Sequence, residues 1–332
     1  MINDKINRRK FLTNTGILAG AAVITPSVVL GAKKNKVITD NNLEMGKQGD
    51  GFYKTKVGDK EITIISDGGL YFPNGFFAQE PQEADLKKIQ VKNGFATDTT
   101  AIQVNALAIK DTNGITLVDV GTSKGIYDTV GYFLENFAKA GYNASEVKRV
   151  VLTHLHFDHF GYLFDANGNA IFPNAEIILS EAEYNFWNGT PNLSNVHTDK
   201  GTKEFFISSA KAVIKNMKKD FTVKKDGQEV APGVNMIAAP GHTPGHFAIE
   251  GNGFVYLADT FVHPWLHLSN PDWTSKADVD PKSVVASRKR ILDKVSKDNV
   301  LVAGGHTNFP GFGRISKNGK GYDWNEIPFE WK

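Results

Sequence analysis

Short apolar runs and polar turns alternate along the first third of the chain in a way that predicts paired strands. Two tight turns stand out, at Gly58-Asp59 and at Thr112-Asn113-Gly114. Alternating apolar and polar positions on both sides of such a turn are typical of a β-hairpin. The pattern therefore predicts four strands, with the sequences FYKTKVG, EITIISDG, AIQVNALAI and GITLVDVG.

Helical periodicity and further strands follow. Apolar spacing predicts helices over GIYDTVGYFLENFAKAG, which stops at Gly141, and over SEAEYNFW, EFFISSAKAVIKNM and PKSVVASRKRILDKVSK. Ser180 is a predicted N-cap, with Glu183 three residues later, and Pro281 opens the final helix. The remaining predicted strands are VKRVVLT, AEIILS, VNMIAAPG, HFAIEG, GFVYLAD and, as the last one, NVLVAGG. Two rounds of paired strands followed by helices predict an α/β domain with a two-sheet core and helices outside.

The amino-acid composition restricts the possible functions of the protein. The 332 residues are 41% hydrophobic and 22% charged, which is typical of a globular protein with a sizeable core. The formal net charge of +2 gives no electrostatic case for a nucleic-acid partner. Cysteine is absent, so thiol nucleophiles and thiolate metal sites are excluded. Any bound metal must therefore be held by His, Asp or Glu.

The N-terminal segment differs from the rest of the chain. NRRKFLTNTGILAGAAVITPS has a basic start at Arg8-Arg9 and then a short apolar run over 16–24, too short for stable membrane insertion. It resembles a twin-arginine export signal, although a cytoplasmic tail that contains two arginines is the alternative. We predict a signal peptide over 1–32, a linker over 33–48 and one folded domain over 49–332. The resemblance implies an exported protein, periplasmic or secreted.

The stretch THLHFDHFG is rich in side chains that can bind a metal ion. Histidine occurs only 9 times in the chain, yet His154, His156 and His159 lie within six positions, with Asp158 between them. On an extended segment His154 and His156 face the same way and can share one cation. Asp158 and His159 follow at the bend and can point to a neighbouring position. Two such clusters suit two metal ions about 3.5–4 Å apart, an arrangement used for hydrolysis.

Three further ligand candidates come from distant strand ends. His242 follows VNMIAA, Asp259 ends GFVYLAD, and His306 follows NVLVAGG. Each lies at the carboxyl end of a predicted strand and is flanked by Gly or Pro or by the next turn. A site carried on a rigid scaffold is expected at such positions. We predict that these three residues close the metal site.

Together the seven residues resemble the complete ligand set of the metallo-β-lactamase-fold hydrolases. The resemblance implies an αββα sandwich with the site along one edge of its two sheets. It implies three groups of ligands: His154, His156 and His242 for one metal, Asp158, His159 and His306 for the second, and Asp259 as the bridge. The bridge is Asp and not Cys, which is similar to the two-metal hydrolases and unlike the true β-lactamases.

The implied cofactors are two divalent ions. Zinc is the first expectation, and manganese, cobalt, iron and nickel remain open because His and Asp sites accept them all. Asp158 and Asp259 are also the predicted catalytic residues, since either carboxylate could move a proton to the leaving group. We expect ligation to be the first role of both.

The outer segments suggest a substrate class. GFYKTKVGDKEITIISDG, FPNAEIILSEAEYNFW, HTPGHF and HTNFPGFGRISKNGKGY are similar to the methyl parathion hydrolase family and its N-acyl homoserine lactone lactonase relatives. The resemblance implies a small lactone or ester substrate, with opening of N-acyl homoserine lactones first and hydrolysis of organophosphate triesters second. A thioester hydrolase and a non-catalytic metal-binding protein are weaker alternatives. A homodimer is expected from the relatives.

Some substrate-pocket candidates follow from the same resemblance, and others from their positions beside the ligand candidates in the sequence. They are mostly aromatic: Trp187, Phe205, Phe206, Ile126, Phe157 and His263, with Phe160, Tyr127 and Tyr322 as weaker ones. Aromatic side chains suit an acyl chain and an aryl leaving group equally well, and a packing role is open for each. His263 and His267 share one face if helical and can line the pocket or simply pack. His246 is expected near the metals but not on them, on the strand after His242.

Overall fold

The computed structural model describes residues 49–81, 83–218 and 220–328. The predicted signal peptide and linker lie outside the described residues. Within the described part, no helix is both long and apolar enough to cross a membrane.

The first sheet contains seven strands that lie side by side in chain order. They are β1 (Phe52–Val57), β2 (Lys60–Pro73), β3 (Thr99–Asp111), β4 (Gly114–Val118), β5 (Val147–Val151), β6 (Glu176–Ser180) and β7 (Phe221–Lys224). The two predicted hairpins are confirmed, because β1 pairs antiparallel with β2 and β3 with β4. From β4 to β7 the pairing is parallel. The carboxyl ends of β4, β5 and β6 therefore meet at one edge of the sheet.

The second sheet also has seven strands, in the reverse order from β14 to β8. They are β8 (Glu229–Ala231), β9 (Val234–Ala238), β10 (Phe247–Gly251), β11 (Phe254–Tyr256), β12 (Leu301–Ala303), β13 (Phe312–Asn318) and β14 (Gly321–Glu326). Only β11 and β12 are parallel neighbours, and the other pairs are antiparallel. Because β11 and β12 run the same way, the segments that follow them leave the sheet at the same edge.

Helices cover the outer faces of both sheets. They are α1 (Glu83–Lys92), α2 (Phe133–Lys139), α3 (Glu181–Asn188), α4 (Lys200–Met217), α5 (Pro264–His267) and α6 (Pro281–Asp298), with single 3₁₀ turns at Ala144–Glu146 and Ala258–Thr260. Asp280 caps α6 by accepting hydrogen bonds from the backbone N–H groups of Lys282 and Ser283. Pro281 then occupies the first helical turn, where its missing N–H costs nothing.

The core has three apolar layers, which matches the predicted αββα sandwich. Along β11, Phe254 and Tyr256 face the apolar layer between the sheets, whereas Val255 faces the layer under α6. This period of two is what a strand buried on both faces requires. A larger apolar layer lies between the first sheet and helices α2 to α4. The architecture predicted from the resemblance is therefore confirmed.

Several boundaries differ from the sequence prediction. The helix predicted from residue 125 begins only at Phe133, because Gly131 has a φ of 100° and Val130 is bridged to Gly68. NVLVAGG contains β12, but it is not the last strand, since β13 and β14 follow it. The prediction also missed α1, β7 and β8. Their sequences are polar or short, so the apolar periodicity that marks buried elements is weak.

Candidate metal centre

The stretch THLHFDHFG begins at Thr153, just after β5 ends at Val151. Strand β5 lies between the parallel strands β4 and β6. All four ligand candidates of the stretch are buried, with at most 8% of any residue exposed. The segment curls back so that the His159 carbonyl accepts a hydrogen bond from the Val120 N–H (2.8 Å). Gly161 contacts the backbone of residues 121–123 so closely that a Cβ atom there would collide with it. A strand end and a tight turn thus aim the four side chains into one space.

The first cluster contains three histidine ring nitrogens. His156 Nδ1 lies 3.1 Å from His154 Nε2 and 2.9 Å from His242 Nε2. The Nδ1–H of His242 donates to Asp278 Oδ1 (2.7 Å), so its Nε2 carries a lone pair when the ring is neutral. Lone pairs of three neutral rings that face one another are stabilised by a shared cation. The donor set therefore fits a metal ion.

The second cluster contains one carboxylate and two histidines. Asp158 Oδ2 lies 3.8 Å from His159 Nε2 and 3.9 Å from His306 Nε2. The other ring nitrogens are committed, because His159 Nδ1 meets Asp119 Oδ2 at 2.8 Å and His306 Nδ1 meets the Gln103 carbonyl at 2.6 Å. His159 Nε2 is buried and makes no hydrogen bond to any described residue. An orphaned ring nitrogen of this kind fits a second metal ion.

Asp259 faces both clusters. Its Oδ2 lies 3.1 Å from His242 Nε2, and its Oδ1 lies 3.2 Å from His159 Nε2 and 3.1 Å from His306 Nε2. One carboxylate thus reaches ligands of each group, which is the geometry of a bridge. In each three-ligand group, one atom per residue lies within 4.8 Å of the others.

Burial and charge act in opposite directions at these groups. Burial lowers the pKa of His154 and His156 well below the usual value, which keeps the rings neutral. Burial also opposes the charged form of His159, but the carboxylates of Asp119 and Asp259 raise its pKa well above the usual range. Burial would raise the pKa of Asp259, yet the neighbouring histidines lower it well below the usual range. The site therefore concentrates negative charge where cations would bind.

Sequence reasoning missed the residues that orient the ligands. Asp119 and Asp278 are buried and hold the Nδ1 atoms of His159 and His242. Carboxylates behind metal-bound histidines select the tautomer and the ring orientation. The signal for Asp119 was present, since it is a lone acidic residue at the end of the apolar strand GITLV. Asp278 lies in a loop and gave no such signal.

His246 also lies behind the ligands. The prediction that it is near the metals but not on them is consistent with its contacts, since both ring nitrogens are occupied. Nδ1 meets the Ala239 carbonyl (2.9 Å), and Nε2 accepts the backbone N–H of Asp259 (3.0 Å). The residue precedes β10 and is not part of it. His246 therefore positions the backbone of Asp259.

A cavity of about 40 Å³ opens onto the two clusters. Five of the ligand candidates form its floor: His156, Asp158, His242, Asp259 and His306. Its wall is mainly apolar: Phe72, Phe76, Phe77, Ile102, Phe157, Phe206, Val262 and Ala277, with Ser275. Phe157 and Phe206 were predicted, but the wall from residues 72–77 was missed. The aromatic density of YFPNGFF was the available signal.

Four predicted pocket residues lie outside this wall. Trp187 is fully buried behind His156, and its indole N–H donates to Glu183 (2.6 Å), so it supports the site from beneath. Phe205 contacts Phe157 from outside, at 5.4 Å between ring centres. Ile126 is exposed on a bend and does not line this cavity. His263 is buried against Phe95, whose ring meets it edge-on.

The structure also places the weaker substrate-pocket candidates outside the cavity wall. Tyr127 is partly buried against Phe157, beside the cavity. Phe160 is also partly buried in the layer under the helices. Tyr322 is remote from the metal centre, because β14 places it under α6, where it donates to Asp293 (2.6 Å). His267 packs: its Nδ1 accepts two backbone N–H groups and its Nε2 meets the Phe77 carbonyl.

Known proteins share this arrangement to different extents. N-acyl homoserine lactonase AiiA of Bacillus thuringiensis subsp. kurstaki is 27% identical over 172 residues, which are 51% of this chain and 59% of that protein. The match thus spans little more than half of that relative. The solved structure of AidC, a dizinc quorum-quenching lactonase in complex with a product N-hexanoyl-L-homoserine, superposes with a TM-score of 0.80 at 28% identity, over 84% of this chain and 98% of AidC.

A second solved structure agrees with the first. The hydrolase AbOPH, described as a member of the beta-lactamase superfamily, superposes with a TM-score of 0.77 at 26% identity, over 86% of this chain and all of AbOPH. The sequence profile of the metallo-beta-lactamase superfamily matches residues 99–306, a span that runs from β3 to His306. That span contains all seven ligand candidates. The chain therefore belongs to the metallo-beta-lactamase superfamily.

Proposed function

We propose that the protein is a dinuclear metal-dependent hydrolase that opens the lactone ring of N-acyl homoserine lactones. The observation that carries the proposal is the position of Asp259 between two buried ligand clusters, at the floor of an apolar cavity. The relatives AiiA and AidC, both described as lactonases, support the substrate class. Zinc is the metal we propose, because His and Asp ligands suit it and AidC is described as dizinc.

The proposed mechanism assigns a role to each part of the site. Divalent cations in such a centre lower the pKa of water toward neutrality and polarise the oxygen of the attacked group. Asp259 and the histidines would hold the two metal positions. When the lactone C–O bond breaks, the departing alkoxide needs a proton. Asp158 lines the cavity, so we propose that its other carboxylate oxygen, the one that does not face His159 and His306, takes a proton from the attacking water and gives it to this alkoxide.

The apolar wall of the cavity is suited to bind the acyl chain of the substrate. Phe72, Phe76 and Phe77 form a contiguous aromatic group with ring centres 4.6–5.0 Å apart. Phe206 lies against the His156 ring, 4.8 Å between centres, and so joins the wall to the first cluster. An apolar wall beside a charged floor binds a molecule with an apolar tail and a polar reacting head.

Export and assembly complete the proposal. The Arg8-Arg9 segment supports export by the twin-arginine route to the periplasm or the medium, where diffusible lactones would be met. We also propose a homodimer, which the sequence resemblance implies. Fractionation of cells and the sedimentation behaviour of the purified chain test these two statements.

The test combines metal content with substrate rates. Metals in the purified chain are counted by elemental analysis, and the same sample is assayed on short- and long-chain acyl homoserine lactones and on methyl parathion. We expect two metals per chain and faster hydrolysis of the lactones than of the phosphotriester. The reverse ranking would replace the lactonase proposal with an organophosphate hydrolase. A metal-free chain that still hydrolyses either substrate would refute the metal mechanism.

A further inference from the structure

Glu183 is a fully buried carboxylate that the metal clusters do not use. It lies in the first turn of α3, where the sequence suggests a capping box. Ser180 does cap the helix by accepting the Glu183 backbone N–H (3.0 Å). The Glu183 side chain, however, turns inward and does not return to the cap. Its burial needs an explanation, because an ionised carboxylate in the interior is costly unless donors surround it.

Four donors surround this carboxylate. Its Oε1 accepts the Leu155 backbone N–H (2.8 Å) and the Trp187 indole N–H (2.6 Å). Its Oε2 accepts the Thr243 hydroxyl (2.6 Å) and the Gly245 backbone N–H (3.1 Å). Three of these groups can only donate, so a protonated carboxyl would have little to donate to. The donor set therefore matches a carboxylate ion.

Three of the four donors belong to the two loops that carry the first cluster, and the fourth, Trp187, lies in α3 itself. Leu155 stands between His154 and His156, and Thr243 follows His242 directly. Gly245 contacts the N-terminus of α3 so closely that a Cβ atom would collide with the Glu183 backbone, and its carbonyl accepts the Ser180 hydroxyl (2.7 Å). The two loops meet through this helix end.

We propose that Glu183 is a positioning residue that sets the separation of His156 and His242 and so tunes the affinity of the first metal position. This inference rests on the metal centre of the proposed function. The carboxylate touches no ligand atom. It accepts hydrogen bonds from Leu155, the residue before His156, and from Thr243, the residue after His242. Trp187, which lies beneath His156, donates to the same carboxylate. Groups that orient ligands in this way typically contribute 10–100-fold in metal affinity.

Glu183→Gln is the sharpest variant, because the amide keeps the shape but replaces one oxygen by an NH₂ group. Both partners of Oε1 are obligate donors, so the amide oxygen stays there and the NH₂ faces Thr243 and Gly245. The Thr243 hydroxyl can rotate to accept, but the Gly245 N–H cannot. The variant should therefore loosen the His242 loop and leave the Leu155 contact in place.

The experiment measures metal affinity by competition with a chelator, and the visible absorption of the cobalt-substituted protein, in the full chain. Glu181→Gln is the matched control, since Glu181 is the adjacent helix residue and only pairs with Lys225 on the surface (3.1 Å). We expect about 10–100-fold weaker binding of one metal equivalent and an altered cobalt spectrum in Glu183→Gln, with no change in Glu181→Gln. Thermal unfolding of the metal-free forms shows whether the fold is retained.

Thr243→Val gives a milder second test if Glu183→Gln folds poorly. It removes one donor from Oε2, and we expect a smaller loss of affinity. A Thr243→Val variant with wild-type affinity and spectrum would overturn the role of the Oε2 contacts. If Glu183→Gln binds both equivalents as the wild type does and only its thermal stability falls, Glu183 is structural and the proposal is wrong. Absence of metal from the wild-type chain would overturn the proposed function, and this role with it.

Discussion

Asp119→Asn is the change whose consequence follows most directly from the geometry of the second cluster. Asp119 has a φ of 61°, a left-handed conformation that Asn tolerates better than most residues, so the backbone should not be disturbed. The carboxylate Oδ1 accepts the Thr153 backbone N–H (2.9 Å), and Oδ2 meets His159 Nδ1 (2.8 Å). The variant therefore changes the partner of His159 with little change in shape.

The amide has only one favourable orientation. The Thr153 N–H is an obligate donor, so the Asn oxygen must stay on that side and the NH₂ must face His159 Nδ1. His159 then has to accept at Nδ1, which moves its proton to Nε2, the atom that faces the second metal position. A protonated Nε2 cannot ligate. We expect metal affinity at that position to fall about 10–100-fold, equivalent to roughly 1.4–2.7 kcal/mol.

The assay is chelator competition on purified chains, with hydrolysis rates measured at saturating and at limiting zinc. Activity of Asp119→Asn should recover at high zinc, because the ligand is weakened and not removed. Asp111→Asn is the control, since Asp111 is an acidic residue in the hairpin between β3 and β4 that pairs with Lys60 (3.3 Å) and lies away from the centre. Two zinc equivalents bound to Asp119→Asn at wild-type affinity would refute the tautomer argument.

Three further predictions test other parts of the molecule. Asp259→Asn should lower metal content and hydrolysis together, and a variant with full metal and full rate would remove Asp259 as the bridge. Phe206→Ala should raise KM for long-chain lactones more than for short-chain ones, because it deletes a ring from the cavity wall. Burial raises the pKa of Asp67 to about 7, above the usual value of about 3.9, so the contribution of Asp67 to stability is present at low pH and is lost as pH rises toward 7. Urea unfolding between pH 5 and 8 should therefore favour Asp67→Asn increasingly over the wild type as pH rises, and a constant difference would contradict the buried-carboxyl argument.

Local patterns by themselves determined the ligand candidates and most of the strand framework. His154, His156, Asp158 and His159 lie within six positions, so any strand followed by a tight turn must bring them together. His242, Asp259 and His306 could be found because each follows an apolar run whose end is a strand end. The absence of cysteine, visible in the composition, restricted the donors to nitrogen and oxygen.

The tertiary structure alone decided how these residues are oriented and what surrounds them. Asp119 is 40 positions from His159, and Asp278 is 36 positions from His242, and no periodicity relates such pairs. The cavity wall combines residues 72–77 with residues near Val262, which meet only when the ends of the two sheets converge. Trp187 was predicted to line the substrate pocket, yet it lies beneath His156, where its indole N–H meets the inward-turned Glu183. Spacing along the chain predicts which face a residue occupies, but the groups that face it come from other elements, and only packing brings those together.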